Sequence, residues 1–331
     1  MTTRIVFLTL TRVATLTFLC ILLPSPATAM RAWVVGPDGM GDAPTIQAAM
    51  DSAQAGDAVV LEGGTYYEHD IELKSEVLLT SITGLADCAV IDAGGDGGGM
   101  SGVDLGPDTR IVGITLTHGV ATCRDDGYGN LECLGGGMFL LRATLTIVNC
   151  VFADNITSMG PSQANGAGGG RGLGGGVYAQ TWSGGPNECS IDNCTFSANY
   201  AELSAAGILW YSNSPVLYVS RTIIAFSTRG NALGCFWTGG ATFECCDIYG
   251  NAGGDWVGGL EGQADVNGNF SLDPRFCAEE SDNLALMQCS PCAPGNHPDG
   301  ANCRQIGALP VACPGTAVEP TTWGRIKTIF R

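Results

Sequence analysis

A six-residue pattern recurs along the chain and constrains its fold more than any other feature. Each copy reads Cys, any residue, a large apolar residue, two further residues and Asn, and the clearest copies are Cys150–Asn155, Cys194–Asn199 and Cys246–Asn251. Residues 222–227 and 114–119 keep the same frame less completely. Self-similar units of this kind are typical of a solenoid, in which each coil buries its apolar side only against its neighbours.

An apolar residue precedes the first position of every copy by three residues. Around it the apolar and polar side chains alternate, with Leu145 and Ile147 facing one way and Thr144 and Thr146 the other, which is the spacing of a half-buried strand. We therefore predict two inward columns, with neighbouring members about 4.8 Å apart between backbones. The first contains Ile147, Ile191, Val219 and Phe243, and the second contains Phe152, Phe196, Ile224 and Ile248.

The first coil needs a cover, because its outer side would otherwise expose apolar residues and unpaired strand edges. A helical pattern stands in the right place, with Pro44 before it and Gly56 after it. Its apolar residues, three and four apart, are Ile46, Ala49, Met50 and Ala53. The pattern predicts a short amphipathic helix that closes the stack.

Several segments resemble pectin-lyase-like right-handed parallel β-helix proteins. Pro44–Ala49, Gly56–Leu61 and Gly64–Tyr66 resemble their N-terminal signature, and the Cys-x-Phe-x-x-Asn units with their glycine triplets are similar to repeats of bacterial surface β-helices, including polymorphic outer-membrane proteins. Asn267–Cys277 and Ile306–Leu309 resemble the last coil of secreted members. The resemblance implies an all-β, single-stranded right-handed parallel β-helix with an N-terminal capping α-helix. Its activity stays open, because this fold carries lyases, hydrolases, adhesins and inert surface proteins.

The chain divides into four predicted segments. Residues 1–29 place two arginines before an apolar run that ends in Ala27-Thr28-Ala29, which predicts a signal peptide cleaved after Ala29 rather than a membrane anchor. Residues 30–276 form the β-helix with its cap, and 277–313 form a Cys-rich closing segment. Residues 314–331 form a basic amphipathic tail, which either docks on the solenoid, touches a membrane surface or serves export.

Charge excludes one class of partner. Loss of the two arginines in residues 1–29 leaves 13 basic against 32 acidic residues, a net charge of −19. Nucleic acid is excluded as a partner because no basic surface is available to displace counterions. A hydrophobic content of 45% supports a large core and argues against a disordered acidic chain.

The cysteines indicate export. Fourteen remain after residue 29, an even number that predicts disulfides in an exported protein. Cys123 and Cys133 should pair across an Asp- and Gly-rich loop, and the segment from Cys277 to Cys313 should hold the last coil by at least one bridge. By contrast, we expect an inward ladder of reduced thiols at Cys150, Cys194 and Cys246.

Catalytic candidates are few and scattered. A hydrolase or lyase needs two titratable groups, or one and a metal, converging on one space. The outward positions beside the first inward column hold Thr146, Ser190 and either Leu217 or Tyr218, none of them a strong acid or base near neutral pH. We therefore predict no polysaccharide cleavage by the repeat face. The remaining candidates lie in loops, at Asp104, Asp125, Asp126 and Arg171.

Two sets of residues are candidate metal ligands, and each also has a structural interpretation. Candidate Ca²⁺ ligands are Asp92 with Asp96, and Asp265 with Asn267 and Asn269, although the second set lacks the glycine and distal glutamate of an EF-hand. The alternative is that these are turn-forming residues at coil corners. No other cofactor is expected. The pair Cys289 and Cys292 lacks a second pair at zinc-site spacing. A structural amide ladder is predicted for Asn155, Asn199 and Asn251.

These observations favour an exported, monomeric β-helix repeat protein, extracellular or on the cell surface, with the outer membrane and periplasm left open. We expect no transmembrane segment in the mature chain. The predicted role is a non-catalytic structural or glycan-binding module whose partner is a polysaccharide or cell-surface glycan. The alternative is a diverged polysaccharide lyase or glycoside hydrolase of the same fold.

Overall fold

The structure, a computed structural model, describes residues 30–125, 131–158, 171–181, 189–212, 217–236, 240–278 and 283–314. Four predictions concern parts of the chain outside the described residues. They are the signal peptide (1–29), Asp126, the tail beyond residue 314, and nearly all of residues 160–172. The long step between two repeats predicts that this last, glycine-rich stretch is an insertion looping off one coil.

Three long sheets carry the fold. The first sheet has eight strands, all paired in parallel. In order across the sheet they are Ala32–Val35, Ala58–Leu61, Leu78–Ser81, Arg110–Val112, Leu145–Val148, Cys189–Asp192, Leu217–Ser220 and Ala241–Glu244. The second sheet has seven parallel strands, Gly64–Tyr66, Ala89–Asp92, Ile114–Thr117, Val151–Ala153, Thr195–Ser197, Ile223–Ala225 and Asp247–Tyr249.

The third sheet completes each coil. It contains Ile71–Glu72, Met100–Val103, Met138–Leu141, Ile156–Thr157, Val177–Thr181, Tyr200–Ser212 and Arg229–Phe236. Two small sheets lie outside this stack. The earlier one contains Cys123–Asp125, Leu131–Leu134 and Arg171–Leu173, and the later one contains Phe276–Ala278, Asn283–Met287 and Val311–Cys313; a 3₁₀ turn spans Glu261–Gln263.

The order of the strands confirms the predicted parallel β-helix. The chain visits the first, second and third sheets in turn and then returns to the first, one strand further along. Each return is a parallel crossover, for which the right-handed sense is the rule. Among the described residues, no helix is long and apolar enough to cross a membrane.

Both predicted inward columns are confirmed by the strand register. Ile147 pairs with Ile191, Ile191 with Val219, and Val219 with Phe243. In the second sheet Phe152 pairs with Phe196, and the column continues through Ile224 to Ile248. The rings of Phe152 and Phe196 stack with centroids 4.8 Å apart and 5° between their planes. This spacing is that of neighbouring strands, so the ring stack follows directly from the register.

The glycine triplets allow close packing between coils. A Cβ atom added to Gly137 would lie 2.6 Å from the carbonyl oxygen of Gly176, and one added to Gly176 would lie 2.7 Å from that of Gly207. A side chain at either position would force neighbouring coils apart, which explains why glycine recurs there.

A thiol ladder lines the corner between the first two sheets. The Cys150 thiol donates to Val148 O (3.2 Å), the Cys194 thiol to Asp192 O (3.3 Å), and the Cys246 thiol to Glu244 O (3.3 Å). Thr222 fills the same position on the coil between the last two, and its hydroxyl donates to Ser220 O at 2.8 Å. All three cysteines are buried and unpaired, as expected for reduced thiols in a structural role.

An amide ladder lines the corner between the second and third sheets. Asn199 Oδ1 accepts from Asn155 N (3.0 Å) and Asn155 Nδ2 (3.1 Å), while Asn199 Nδ2 donates to Phe152 O (2.8 Å). Two coils further on, Asn251 Oδ1 accepts from Ser227 N at 3.2 Å. Ser227 thus occupies the asparagine position on the coil between Asn199 and Asn251, so the row of amide side chains is interrupted on that coil.

Replacing Asn199 with alanine is expected to destabilise the protein by roughly 3 kcal/mol, because buried groups of Asn155 and Phe152 lose their partners. Urea unfolding measures the change as a lower midpoint at unchanged slope. Thr146→Ala, on the outward face of the first sheet, is the control and should stay within about 0.5 kcal/mol of the wild type. Equal losses in the two variants would contradict a structural ladder.

The N-terminal cap is the predicted amphipathic helix, Ile46–Ser52. The Thr45 side chain accepts from Ala48 N at 3.0 Å and so caps the first turn. Glu68, from the first coil, also accepts from Ile46 N at 2.9 Å. The apolar face of the helix is fully buried in the main core, which closes the first coil.

The C-terminal part differs from the expected closing coil. Residues 250–264 close the stack instead, with Trp256 packed edge-on against Phe243 (centroids 5.6 Å apart) and Leu260 buried in the core. The Cys-rich segment folds back over the outer face of the second sheet, where Ala308 N donates to Thr195 Oγ1 at 3.0 Å. The physical reason is that this outer face is apolar: it presents Val151, Ala153, Ile223 and Ala225.

The cysteines are only partly paired. Disulfides join Cys123 to Cys133, Cys245 to Cys303, and Cys277 to Cys313. Eight of the fourteen cysteines in the described residues remain unpaired, so the even count did not translate into full pairing. Half of these unpaired thiols are buried within the stack. The buried unpaired thiols in the stack are Cys150, Cys189, Cys194 and Cys246.

Candidate functional site

A groove of about 360 Å³ lies where the first sheet meets the C-terminal segment. We call it the Asp192 groove. One wall is built from the first sheet and its corner, and the other from the segment that folds back. Its lining residues are Asp192, Ser220, Arg221, Glu244, Cys245, Asn302, Cys303 and Arg304.

The sheet wall is a single outward column. Asp192 pairs with Ser220, and Ser220 pairs with Glu244, so three successive coils place a polar side chain in line. The same column holds Val112 and Val148 on earlier coils. This column therefore changes from apolar to polar along the stack, and the groove lies at its polar end.

An ion pair fixes the centre of the groove. Arg221 Nε donates to Asp192 Oδ1 at 3.0 Å, and Arg221 Nη2 contacts Asp192 Oδ2. Ser220 Oγ donates to Asp192 Oδ1 at 2.8 Å. Arg221 occupies the corner between sheets, with φ of 47°. Because the guanidinium engages both carboxylate oxygens, the Asp192 side chain is held in one orientation with both of its oxygens occupied.

The opposite wall is anchored to the sheet at two points. The Cys245–Cys303 disulfide ties the segment directly beside Glu244. Gly307 N donates to Arg221 O at 2.8 Å. Between these anchors, the exposed side chains of Asn302 and Arg304 face the column across the groove. The groove thus brings together two carboxylates, two guanidiniums, a hydroxyl and an amide.

Sequence reasoning missed this site. Acids and arginines were expected to be spread over loops without a common location, yet Asp192, Glu244, Arg221 and Arg304 line one groove. The sequence did identify the outward residue that directly precedes each member of the first inward column. On one coil it left open whether this residue is Leu217 or Tyr218. It is Tyr218, because Leu217 is buried. The outward residues that directly follow the members of the same column were not considered. Continuing the inward–outward alternation by one residue along each strand would have identified them.

The catalytic candidates from the sequence do not form a site in the described residues. Asp104 is exposed and pairs with Arg142, with Nε–Oδ1 at 2.6 Å and Nη2–Oδ2 at 2.7 Å. This pairing lowers the pKa of Asp104. Arg171 lies in the small sheet, with its Cα opposite Glu132. Asp125 is the last residue of the strand Cys123–Asp125, and Asp126 lies outside the described residues.

Two of the five calcium candidates, Asp92 and Asn269, are engaged in local structure. Asp92 Oδ1 accepts from Gly94 N and contacts His118 Nδ1, both at 2.9 Å. Asn269 is buried: its Oδ1 accepts from Cys246 N (3.0 Å) and its Nδ2 donates to Phe243 O (3.0 Å), which extends the thiol ladder. Asp265 and Asn267 are exposed and have left-handed backbone conformations, each with φ of 55°, and Asp96 is exposed. Within the described ranges, no three His, Cys, Asp or Glu side chains cluster as metal ligands.

No family model matches the chain, and no curated protein matches it. Two solved structures are similar to it. The crystal structure of pectate lyase Pel9A is 12% identical with a TM-score of 0.39, over 87% of this chain and 77% of that one. A mannuronic acid specific polysaccharide family 6 lyase from human gut microbiota is 14% identical with a TM-score of 0.36, over 66% of this chain and 54% of that one. This chain therefore spans about half of the second structure. At TM-scores this low, the fold assignment rests on the strand topology.

Proposed function

We propose that this protein is an exported, non-catalytic glycan-binding module and that the Asp192 groove is its binding surface. The observation that carries the proposal is the column of Asp192, Ser220 and Glu244, which faces Asn302 and Arg304 across the groove. Export to the extracellular space or cell surface is supported by the three disulfides, which persist in oxidising compartments.

The chemistry of the groove suits sugar hydroxyls. Carboxylates accept hydrogen bonds, guanidiniums donate them, and hydroxyl and amide groups do both. Glu244, Asn302 and Arg304 are exposed, so their polar ends are available to a ligand. Tyr218, two residues before Ser220 on the same outward face, is 48% exposed and adds an apolar surface with a polar tip. The two guanidiniums also allow a carboxylated sugar to bind despite the acidic chain.

The same geometry argues against catalysis. A glycoside hydrolase works with two carboxyl groups, one of them a proton donor. Here Arg221 engages both oxygens of Asp192, which leaves Glu244 as the single carboxyl of the groove outside this ion pair. A metal-dependent lyase needs a carboxylate cluster for its cation, and the described residues contain no such cluster. Binding without cleavage is therefore the function that we infer.

Binding to a polysaccharide panel by affinity electrophoresis and calorimetry tests the proposal. Glu244→Gln and Arg304→Ala should each weaken binding of the retained glycan at least about tenfold, because hydrogen bonds to charged groups are the stronger ones. Asp87→Asn, a change at an exposed acid outside the groove, should leave the affinity unchanged. Retention that is insensitive to both groove variants would remove the site assignment.

Reducing-sugar and ultraviolet unsaturation assays on the same panel address the alternative, a diverged lyase or hydrolase. We expect no product above the buffer control from any substrate. Product formation by the wild type that disappears in Glu244→Gln would replace the binding module with an enzyme at the same groove.

A further inference from the structure

A second surface groove, of about 420 Å³, lies at the corner between the second and third sheets. We call it the His118 groove. It shares no lining residue with the Asp192 groove, so the two are separate surfaces. Its lining residues are His118, Asp154, Ile156, Ala198, Tyr200 and Thr228.

One wall of the His118 groove is a row of corner residues. His118, Asp154 and Ala198 directly follow paired strand residues of the second sheet, so they lie in line on three successive coils. All three have left-handed backbone conformations, with φ of 55°, 54° and 52°. The amide ladder fixes this corner, since Asn155 Oδ1 accepts from Gly119 N at 2.9 Å. Neighbouring members of the row are therefore one strand spacing apart, about 4.8 Å between backbones.

Asp92 determines which nitrogen of His118 is available to a ligand. Asp92 Oδ1 lies 2.9 Å from His118 Nδ1. Because a carboxylate only accepts hydrogen bonds, Nδ1 of the neutral ring carries the proton and Nε2 keeps its lone pair. The His118 side chain is 49% exposed, and its Nε2 has no hydrogen-bond partner among the described residues. His118 therefore presents an oriented acceptor to the groove.

Ala198 provides the open space of the groove. On the next coil the same corner position holds Phe226, which has φ of 58°. The corner thus accommodates an aromatic side chain in the left-handed conformation, whereas residue 198 contributes only a methyl group. A side chain as large as that of Phe226 at this position would occupy the space beside Asp154.

The opposite wall belongs to the third sheet and its corner. Ile156 pairs with Tyr200, and Thr228 N donates to Asn199 O at 3.1 Å, which places these side chains on adjoining coils. Ile156 is 38% exposed, and Thr228 is exposed. In the part of the chain that the structure describes, the Tyr200 hydroxyl has no hydrogen-bond partner. This wall offers an apolar surface and two hydroxyl groups.

The polar atoms of the groove are mainly acceptors. The Nε2 atom of His118 and the carboxylate of Asp154 accept hydrogen bonds, while the two hydroxyl groups can accept or donate. No lysine or arginine of the described residues lines the groove. A complementary ligand must therefore bring donors and positive charge. A primary ammonium group brings three N–H donors and one positive charge.

The second wall distinguishes an amino sugar from other primary amines. Sugar hydroxyls can pair with the hydroxyl groups of Tyr200 and Thr228, and the C–H groups of a sugar ring can pack against Ile156. A lysine side chain carries an ammonium group but no hydroxyl group, so it leaves half of this wall unused.

We propose that the His118 groove binds an amino sugar through its unacetylated ammonium group, held between the Asp154 carboxylate and His118 Nε2. The two acceptors come from adjacent coils and line the same groove. Tyr200 and Thr228 then orient the ring through its hydroxyl groups. This site does not depend on the Asp192 groove, so either assignment can fail without the other.

Calorimetry with the full-length protein and two probes tests the proposal. The probes are a glucosamine trisaccharide with free amino groups and its fully N-acetylated counterpart. The wild type should bind the first at least about tenfold more tightly, because acetylation removes the charge that strengthens its hydrogen bonds. This comparison needs no variant, so it decides the question even if a substitution prevents folding.

Two variants locate the site. Asp154→Asn removes the charge but suits the left-handed corner, and it should weaken binding of the free-amine probe at least about tenfold. Ala198→Phe should abolish binding by filling the groove, since Phe226 already occupies the equivalent position. Asp87→Asn, at an exposed acid outside the groove, is the control and should leave the affinity unchanged.

Four outcomes would overturn the proposal. They are equal wild-type affinity for the two probes, unchanged affinity in Asp154→Asn, competition by lysine amide as strong as that by glucosamine, and displacement of the probe when the Asp192 groove is saturated with its retained glycan. The third result would assign the site to protein amines, and the fourth would place the probe in the other groove. Preference for the free amine that is lost in both variants supports the amino-sugar site.

Discussion

Asp247→Asn is expected to make the protein more stable above neutral pH, by up to roughly 5 kcal/mol near pH 9. The carboxyl group is fully buried, and burial raises its pKa from 3.8 to about 8. Between those values the folded protein holds a proton that the unfolded chain has released. The contribution of Asp247 to stability is therefore complete below about pH 4 and is lost as pH rises through 8, at about 1.4 kcal/mol per pKa unit.

An asparagine keeps the shape and the acceptor for Leu272 N but cannot ionise. Urea unfolding of both proteins at pH 5, 7 and 9 measures the difference, which should widen towards pH 9. Asp87→Asn, at an exposed position, is the matched control and should follow the wild type at every pH. A constant difference between Asp247→Asn and wild type across this range would show that Asp247 does not hold its proton in the folded protein.

The stack could be predicted from the sequence because each of its features is local and repeated. The spacing from Ile147 to Phe152 fixes a strand, a corner and a second strand, and the next coil repeats it at Ile191 and Phe196. A register shift of one residue would turn every inward side chain outward, so the pattern of apolar residues is compatible with only one strand register. The cap helix was equally clear, since Pro44 and Gly56 bracket it.

The groove could not be predicted by the same reasoning. One of its walls comes from the repeat, but the other, around Arg304, comes from a segment with no periodicity. That segment reaches the first sheet through a bridge from Cys303 to Cys245, 58 residues away in sequence. Pairing among fourteen cysteines cannot be deduced from spacing. Without the second wall, Asp192 and Glu244 are simply polar residues on a solvent-facing strand.

The position of the Cys-rich segment was also mispredicted for a physical reason. A closing coil was expected because the end of a solenoid exposes apolar side chains. However, Trp256 and Leu260 already cover that end. The outward positions of the second sheet, such as Val151 and Ile223, are apolar too. Such a sheet is buried on both faces, so it recruits a cover from elsewhere in the chain.

Removing the Cys245–Cys303 disulfide by a double serine substitution is expected to destabilise the protein by about 4 kcal/mol and to abolish most glycan binding. The bridge joins residues 58 apart in sequence, and the entropy of closing a loop of that length in the unfolded chain accounts for the expected loss of stability. It also holds Asn302 and Arg304 opposite Glu244. Once the wall is no longer fixed, a ligand must order it on binding, which lowers the affinity.

The Cys123–Cys133 double serine variant is the matched control, because its bridge closes only 10 residues in a small sheet outside the stack. Loop closure predicts that removing this bridge lowers the free energy of unfolding by about 3 kcal/mol. The effect is confined to a peripheral hairpin that shares no residue with the groove. Urea unfolding and calorimetric titration with the retained glycan separate the two variants: both should lose stability, but only the first should lose binding. If both retained full affinity, the fold-back segment would not be part of the binding surface, and the sheet column alone would have to hold the ligand.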